Sequence, residues 1–293
     1  MKPPAFAYHA PRSMDEALDL LDQLGGDAKV LAGGQSLVPL LNMRLVAPAA
    51  LVDIRHLAAL DELTVTDGAV QVGARVTHRR LEQDADAAAA LPLLGDTLRL
   101  VAHPVIRNRG TSVGSVVHAD PAAELPAVVA LLDAELEIRS TAGTRTVAGT
   151  DVFEGPLESA LRPGELATAV RFPVRPPRTG DAVEELARRH GDYALAGVIA
   201  RVTLDDDARV ASARAAFFGV GPLPAVVALD ALVGQPADAL ATDDAVAAAR
   251  DALDPDDDIH ATAAYRRHLA GVLLERALGR AAVHARTDLE VPA

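Results

Sequence analysis

Apolar residues at positions 17, 18, 20, 21 and 24 recur at helical spacing, one stripe every three to four residues. Ser13 stands just before them and Glu16 follows three residues later, the arrangement of a reciprocal helix cap. A helix is therefore expected from Ser13 to Gly25-Gly26. Lys29-Val30-Leu31-Ala32 reads as a short strand, Leu37 to Arg44 as a second helix and Ala50 to Asp53 as a second strand. From Leu60 the period falls to two. Leu63-Thr64-Val65-Thr66 and Val70-Gln71-Val72-Gly73 alternate on either side of Asp67-Gly68, the pattern of a hairpin. Helices are expected from Thr77 to Asp86, from Leu91 to His103 and from Pro121 to Leu132. Strands are expected from Ala134 to Arg139 and from Glu165 to Phe172. Arg109 to His118 reads as a Gly- and Ser-containing stretch, and Phe153 to Pro156 as a loop.

Arg175-Pro176-Pro177-Arg178-Thr179-Gly180 is the clearest linker, since paired prolines and a glycine stop both helix and sheet. Strand patterns follow at 182–188, 196–204 and 211–219, then helical ones at 224–232, 242–254 and 261–279. Strands followed by helices indicate a separate α+β unit. No solenoid-type repeat is present.

Composition narrows the function classes. A chain of 293 residues, half of them apolar, is long enough for two or three domains. A net charge of −13 disfavours binding to nucleic acid or to an anionic membrane. There is no cysteine, so the chain cannot ligate an iron–sulfur cluster through thiolates, form a disulfide or use a Cys nucleophile. Met1 to Ala10 lacks the apolar core of a signal peptide, and runs such as Val128 to Leu132 are too short to span a bilayer. The expectation is a cytoplasmic protein without a membrane span.

Three segments can carry chemistry. Ala32-Gly33-Gly34-Gln35-Ser36 lies between a strand and a helix. Its glycines expose adjacent backbone N–H groups, and a helix N-terminus adds partial positive charge, which suits a phosphate or pyrophosphate. A plain Gly-Gly turn with a serine cap has the same sequence. The segment lacks G-x-G-x-x-G, and no Walker lysine occurs in the chain, so a nicotinamide dinucleotide domain is disfavoured. The second segment runs from Thr111 to Glu124. Thr111, Ser112 and Ser115 offer hydroxyls, and Gly114 permits close backbone approach. Asp120-Pro121 has the form of a helix start with Asp as the cap. Glu124 would sit in the first turn, either contacting a ligand or complementing the helix dipole. His118, Asp120 and Glu124 do not make a metal site, since no second histidine cluster completes one. The third segment is Arg188-Arg189-His190-Gly191-Asp192-Tyr193-Ala194. Tyr193 is one of three tyrosines, and its ring can stack on a flat cofactor or pack in a core. No residue set suggests nucleophilic catalysis, and no catalytic side chain is expected.

At these segments the chain resembles a known family. Ala-Gly-Gly-Gln-Ser-Leu-Val-Pro-Leu-Leu-Asn-Met-Arg-Leu at 32–45 is similar to the first FAD loop of the medium subunit of carbon monoxide dehydrogenases, and to the FAD domain of xanthine dehydrogenases and other molybdenum hydroxylases. His103 to Thr111, continuing to Glu124, resembles the second loop. Pro163-Gly164-Glu165-Leu166, Arg171-Phe172-Pro173, Arg188 to Val198 and Ile259 to Arg267 match further family stretches, in order. The resemblance implies an α+β fold: a vanillyl-alcohol-oxidase-type FAD-binding module of two α/β subdomains plus a C-terminal α+β domain with a three-stranded antiparallel sheet and helices. The implied limits are 1–55, 56–174 and 180–284.

It also implies a cofactor, FAD, held by Ala32, Gly33, Gly34, Gln35, Ser36 and Leu37 and by Thr111, Ser112, Gly114 and Ser115. Asp120, Glu124, Leu161 and Tyr193 complete the implied set, with Tyr193 on the isoalloxazine face. Implied partners are a molybdopterin-binding large subunit and a [2Fe–2S] small subunit, whose electrons would pass through FAD to an external acceptor. Two positions depart from the family. Val113 stands where relatives usually carry glycine, and a β-branched residue there is costly if the backbone needs a positive φ. Glu185 stands where many relatives carry a basic residue. Alternatives are a stand-alone FAD-dependent oxidoreductase acting on a small organic substrate, and a cofactor-free scaffold remnant.

Overall fold

The computed structural model describes residues 2–66 and 68–290, with side chains through Thr287; Met1 and Asp67 lie outside the described residues. The first helix, Met14–Leu24, begins as its sequence dictates. Ser13 accepts from the Glu16 amide, and the Glu16 carboxylate accepts from the Arg12 amide. Gly25 closes it at φ 53°. Its buried face of Ala17, Leu18 and Leu21 covers a parallel sheet in which Ala50–Asp53 lies between Ala7–His9 and Ala28–Leu31.

The second sheet is antiparallel, in the order Leu63–Val65, Ala69–Gly73, Leu166–Pro173, Glu135–Ser140, Gly143–Ala148. Short helices fill the connections. The single helix expected over Thr77 to Asp86 is two, His78–Gln83 and Ala85–Ala90, because Asp84 ends the first and its carboxylate caps the Ala87 amide of the second. Leu91 to His103 is likewise shortened to Pro92–Leu98, which has proline at its first position. Phe153–Gly155 is a strand, not loop, and pairs with Glu158–Ser159.

Two corrections bear on function. Thr111 to His118 is not irregular: Ser112–His118 is a helix capped by the Thr111 hydroxyl on the Gly114 amide at 3.2 Å. The expected helix start at Pro121 is displaced to Glu124–Leu132. Asp120 instead closes a turn, its carboxylate accepting from Ala122 N at 2.9 Å. Pro126 explains the shift. A helix begun at Pro121 would hold Pro126 in its interior, where the missing N–H forfeits an i−4 bond; begun at Glu124, it holds Pro126 in the first turn, where that loss is harmless.

The C-terminal sheet has four antiparallel strands rather than three: Thr179–Ala187, Ala194–Leu204, Val210–Phe218 and Ala225–Ala228. The last replaces an expected helix over 224–232. Its paired valines favour a pleated strand, and its alternating burial matches one. The helix Ala263–Glu290 runs along this sheet. A Cβ on Gly180 would lie 1.9 Å from the Ala281 carbonyl oxygen, so glycine lets helix and strand meet backbone to backbone. The sheet is covered on both faces. Ala182, Ala196 and Val198 pack toward the long helix, while Val183, Ile199 and Phe218 join the core of the first two sheets.

Val113 is the second residue of its helix, 2% exposed and part of the main core, and it is not among the residues with positive φ. The strain expected there is absent. Val113→Gly removes a buried side chain and adds helix-destabilising backbone freedom, so it should cost about 3 kcal/mol in urea unfolding. A variant as stable as the wild type would contradict this placement.

Candidate cofactor site

The first loop follows the strand Ala28–Leu31 and enters the helix Leu37–Met43. Gly34 has φ 73°, a conformation that glycine adopts without penalty. Gln35 folds back, its amide nitrogen donating to the Gly33 carbonyl at 2.9 Å. Ser36 precedes the helix but makes no capping bond. Ala32 through Leu37 are all half-buried.

Gly33 faces the second loop at very short range. A Cβ there would lie 2.2 Å from the Arg109 carbonyl oxygen and 2.8 Å from Gly110 Cα, closer than any side chain allows. Two loops separated by more than seventy positions in the chain are thus set back to back by glycine. The second loop is fixed from behind. His78 N donates to the Gly110 carbonyl and Ser112 N to the Val76 carbonyl, and Thr77 bridges Thr111.

Beneath it lies a buried polar cluster that the sequence reading missed. Arg107 donates from Nη1 to the carbonyls of Val101 and Ala102, both at 3.0 Å, and from Nε to Glu82 at 3.1 Å. The His78 ring contacts Ser112 Oγ at 3.3 Å through Nδ1. Burial, and then the Arg107 charge, hold His78 down to about 4, so it is neutral at physiological pH. The only available sequence signal was an arginine and a histidine flanking the loop, which in isolation read as surface residues.

Of the remaining expected residues, Asp120 and Tyr193 share a cleft that Glu124 and Leu161 do not line. The Leu157 amide donates to the Ala119 carbonyl at 2.9 Å, which ties the segment leading to half-buried Leu161 against the end of the second-loop helix. Gly219 N donates to the Pro121 carbonyl at 2.8 Å, joining the C-terminal sheet to the same stretch. A cleft of about 750 Å³ opens here, with Asp120, Pro121, Tyr193, Gly219, His260 and Arg266 on its walls. Tyr193 is 64% exposed, and Asp120 faces its hydroxyl. It is not a core residue, which leaves its ring face free for a flat partner. Gly191, at φ 85°, lies over the His103 ring, so the Tyr193 loop rests on the segment that leads into the second loop. The cleft walls include Tyr193 and Asp120 but no residue of 32–37 or 111–115.

Glu124, first residue of its helix, is 8% exposed. Burial, and then the charge of Asp120, raise it to about 7. Glu185 lies on the strand Thr179–Ala187, and one of its carboxyl oxygens is buried without a hydrogen-bond partner. Burial, and then Glu124, raise it to about 8. An orphaned buried carboxyl oxygen and a glycine cradle both fit a bound polar molecule that would complete them. Among the described residues, no group of three or more His, Asp or Glu side chains is arranged to hold a metal ion.

Residues 4–175 match the family model described as the FAD binding domain in molybdopterin dehydrogenase, and residues 181–281 match the CO dehydrogenase flavoprotein C-terminal domain. The chain is 40% identical over 295 residues to the 6-hydroxypseudooxynicotine dehydrogenase complex subunit alpha of Paenarthrobacter nicotinovorans, covering 99% of each. It is 39% identical over 287 residues to the carbon monoxide dehydrogenase medium chain of Afipia carboxidovorans, covering 98% of this chain and all of that one. A solved structure of reconstituted CO dehydrogenase from Oligotropha carboxidovorans superposes with a TM-score of 0.91 at 38% identity, over 97% of this chain and all of the other.

Glu185 sets a pH dependence of folding. An unfolded glutamate loses its proton near 4.5, whereas the folded one keeps it to about 8. Between those values the folded state binds the extra proton, so stability falls as pH rises, by at most about 1.4 kcal/mol per unit. Glu185→Gln should flatten most of this decline, leaving the smaller share due to Glu124. Urea midpoints at pH 6 and pH 8.5 measure it, and an equal drop in variant and wild type would refute the assignment.

Proposed function

We infer the function from a family premise: the chain belongs to the FAD-binding medium subunits of the carbon monoxide dehydrogenase and xanthine dehydrogenase family of molybdenum hydroxylases. It is an FAD-binding oxidoreductase subunit. The finer reading is that it works in a three-part assembly. A molybdopterin-binding large subunit oxidises the substrate, and a small [2Fe–2S] subunit relays the electrons. The lack of any cysteine supports the division of labour, since clusters need thiolate ligands that only another chain can provide.

Within this chain, Ala32 to Leu37 and Thr111, Ser112, Gly114 and Ser115 would grip the FAD pyrophosphate. The back-to-back glycine packing of Gly33 on Arg109 and Gly110 is the observation that carries this. It brings two N–H-rich loops to one place, and helix N-termini and exposed amides favour an anion there. Asp120 and Glu124 would make polar contacts further along, and Leu161 and Tyr193 would line the ring. Bound FAD supplies the redox chemistry, accepting electrons from the partner and releasing them to an external acceptor. The side chains bind, orient and set the electrostatic surroundings, and none acts as a nucleophile. Cytoplasmic residence is part of the proposal; it is compatible with the described residues, in which no helix is long and apolar enough to cross a membrane.

The subdomain limits 1–55, 56–174 and 180–284 belong to the same reading, each containing one of the three main sheets. The cofactor-free alternative loses its support, because Val113 is an ordinary buried helix residue.

Purification of the tagged chain from its native host, with visible spectroscopy and elemental analysis, tests the proposal. Oxidised-flavin absorption with co-purifying iron and molybdenum is expected. Flavin without either metal would favour a stand-alone flavoenzyme, and no flavin after reconstitution with FAD would overturn the reading.

A further inference from the structure

Glu124 is buried and Glu185 half-buried with one shielded carboxyl oxygen; beyond the cofactor contact proposed for Glu124, neither has an assigned part in proton uptake. Glu185 is on the strand Thr179–Ala187, whose alternating faces look in opposite directions. Gly180 and Ala182 face the long C-terminal helix, whereas Val183 joins the core of the FAD-binding half. Glu185 shares the Val183 face by the two-residue period. Its cross-strand partner is Gly197, and a Cβ on Gly197 would lie 2.1 Å from the Phe218 ring. Phe218 therefore lies over the position beside Glu185, and an apolar ring there withholds water from the carboxyl group.

Among the described residues, one carboxyl oxygen of Glu185 has no hydrogen-bond partner, and no basic group is among the causes of its shift. Glu124, from the helix Glu124–Leu132, is the charged group that acts on Glu185, and Asp120 acts on Glu124. Arg280, on the long helix, is held by Glu184 at 2.6 Å on the opposite strand face. Arg201, on the neighbouring strand, is spent on Asp181 at 2.6 and 2.8 Å. Tyr193 faces Asp120 and Glu124 from the cleft. The charge of Glu124 disfavours ionisation of Glu185, so the two acids together retain a proton more readily than Glu185 would alone.

We propose that Glu124 and Glu185 form a redox-linked proton site, taking up one proton from water when the FAD bound beside them is reduced. The proposal rests on the reading that the cofactor extends past Glu124. Two electrons, from the iron–sulfur partner in the assembly or from dithionite in a cuvette, reduce oxidised FAD, which itself takes up one proton and gains one negative charge. That added charge disfavours two ionised carboxylates alongside, so the pair binds one further proton from solvent. Nothing else is oxidised or reduced, and the proton returns to water on reoxidation.

The test is a spectroelectrochemical titration of FAD in the full-length holoprotein from pH 6 to pH 9, with wild type, Glu185→Gln and Glu124→Gln. Each proton taken up with an electron pair shifts the midpoint potential by about 30 mV per tenfold change in proton activity. Below the pair's titration, wild type should follow one proton per electron pair. The slope should double over the pH range in which the pair has lost its proton in the oxidised protein but still holds it in the reduced one. Both variants should keep the single slope throughout. A single slope in wild type, or a break that persists in both variants, overturns the proposal while leaving FAD binding intact. Should the variants fail to fold, the wild-type slope decides alone. A wild-type chain that binds no FAD defeats the underlying reading as well, and its spectrum shows that before any potential is measured.

Discussion

The site depends on one steric constraint, the contact of Gly33 with the backbone of Arg109 and Gly110. A Cβ at Gly33 would overlap the Arg109 carbonyl at 2.2 Å, so the two loops can lie this close only because that position has no side chain. The three-stranded parallel sheet delivers the first loop. The second sheet and its short helices deliver the other, braced by His78 and by Arg107 with Glu82. Each brace is local, and together they convert a steric permission into a fixed geometry. Buried polar groups that are fully bonded hold one arrangement against others, since each bond lost would leave an unsatisfied partner.

The C-terminal sheet is more than an appendage to this module. One of its faces completes the main core through Val183, Ile199 and Phe218, and Gly219 bonds back to Pro121. Arg266 binds the carbonyls of Leu195 and Gly219 together with Asp258, so one side chain of the long helix clamps the cleft beside Tyr193. Among the described residues, the same packing leaves one carboxyl oxygen of half-buried Glu185 shielded and without a hydrogen-bond partner. Polar satisfaction near Arg107 and polar dissatisfaction near Glu185 therefore have different consequences: the first fixes shape, and the second leaves a group whose charge state responds to what binds nearby.

Much of this was legible in the chain. The strand–Gly-Gly–helix unit at 28–43, the hairpin strands around Gly68, the strands near 135–140 and 166–173 and the break before the C-terminal sheet all follow from period and turn chemistry. The misses have physical causes. Ser112–His118 contains a glycine and three valines, poor helix formers in isolation, and becomes helical because Thr111 caps it and the core takes up Val113 and Val116. Ala225–Ala228 becomes a strand because the edge of Val210–Phe218 is there to pair with it. Glu185 stood out in sequence only as a departure from its relatives. Its shielding comes with its pairing to Gly197, whose open face Phe218 covers, and its shift owes a further part to the Glu124 charge; no local pattern encodes either.

Titration of FAD into the apo forms of wild type and Gly33→Ala, followed by flavin fluorescence, tests the central claim most directly. The account predicts that a single methyl group pushes the loops apart and weakens FAD binding by at least about tenfold, equivalent to about 1.4 kcal/mol, while the variant's C-terminal sheet stays folded. Wild-type affinity in a folded Gly33→Ala protein would contradict it, because the pyrophosphate grip would then not depend on the contact between the loops.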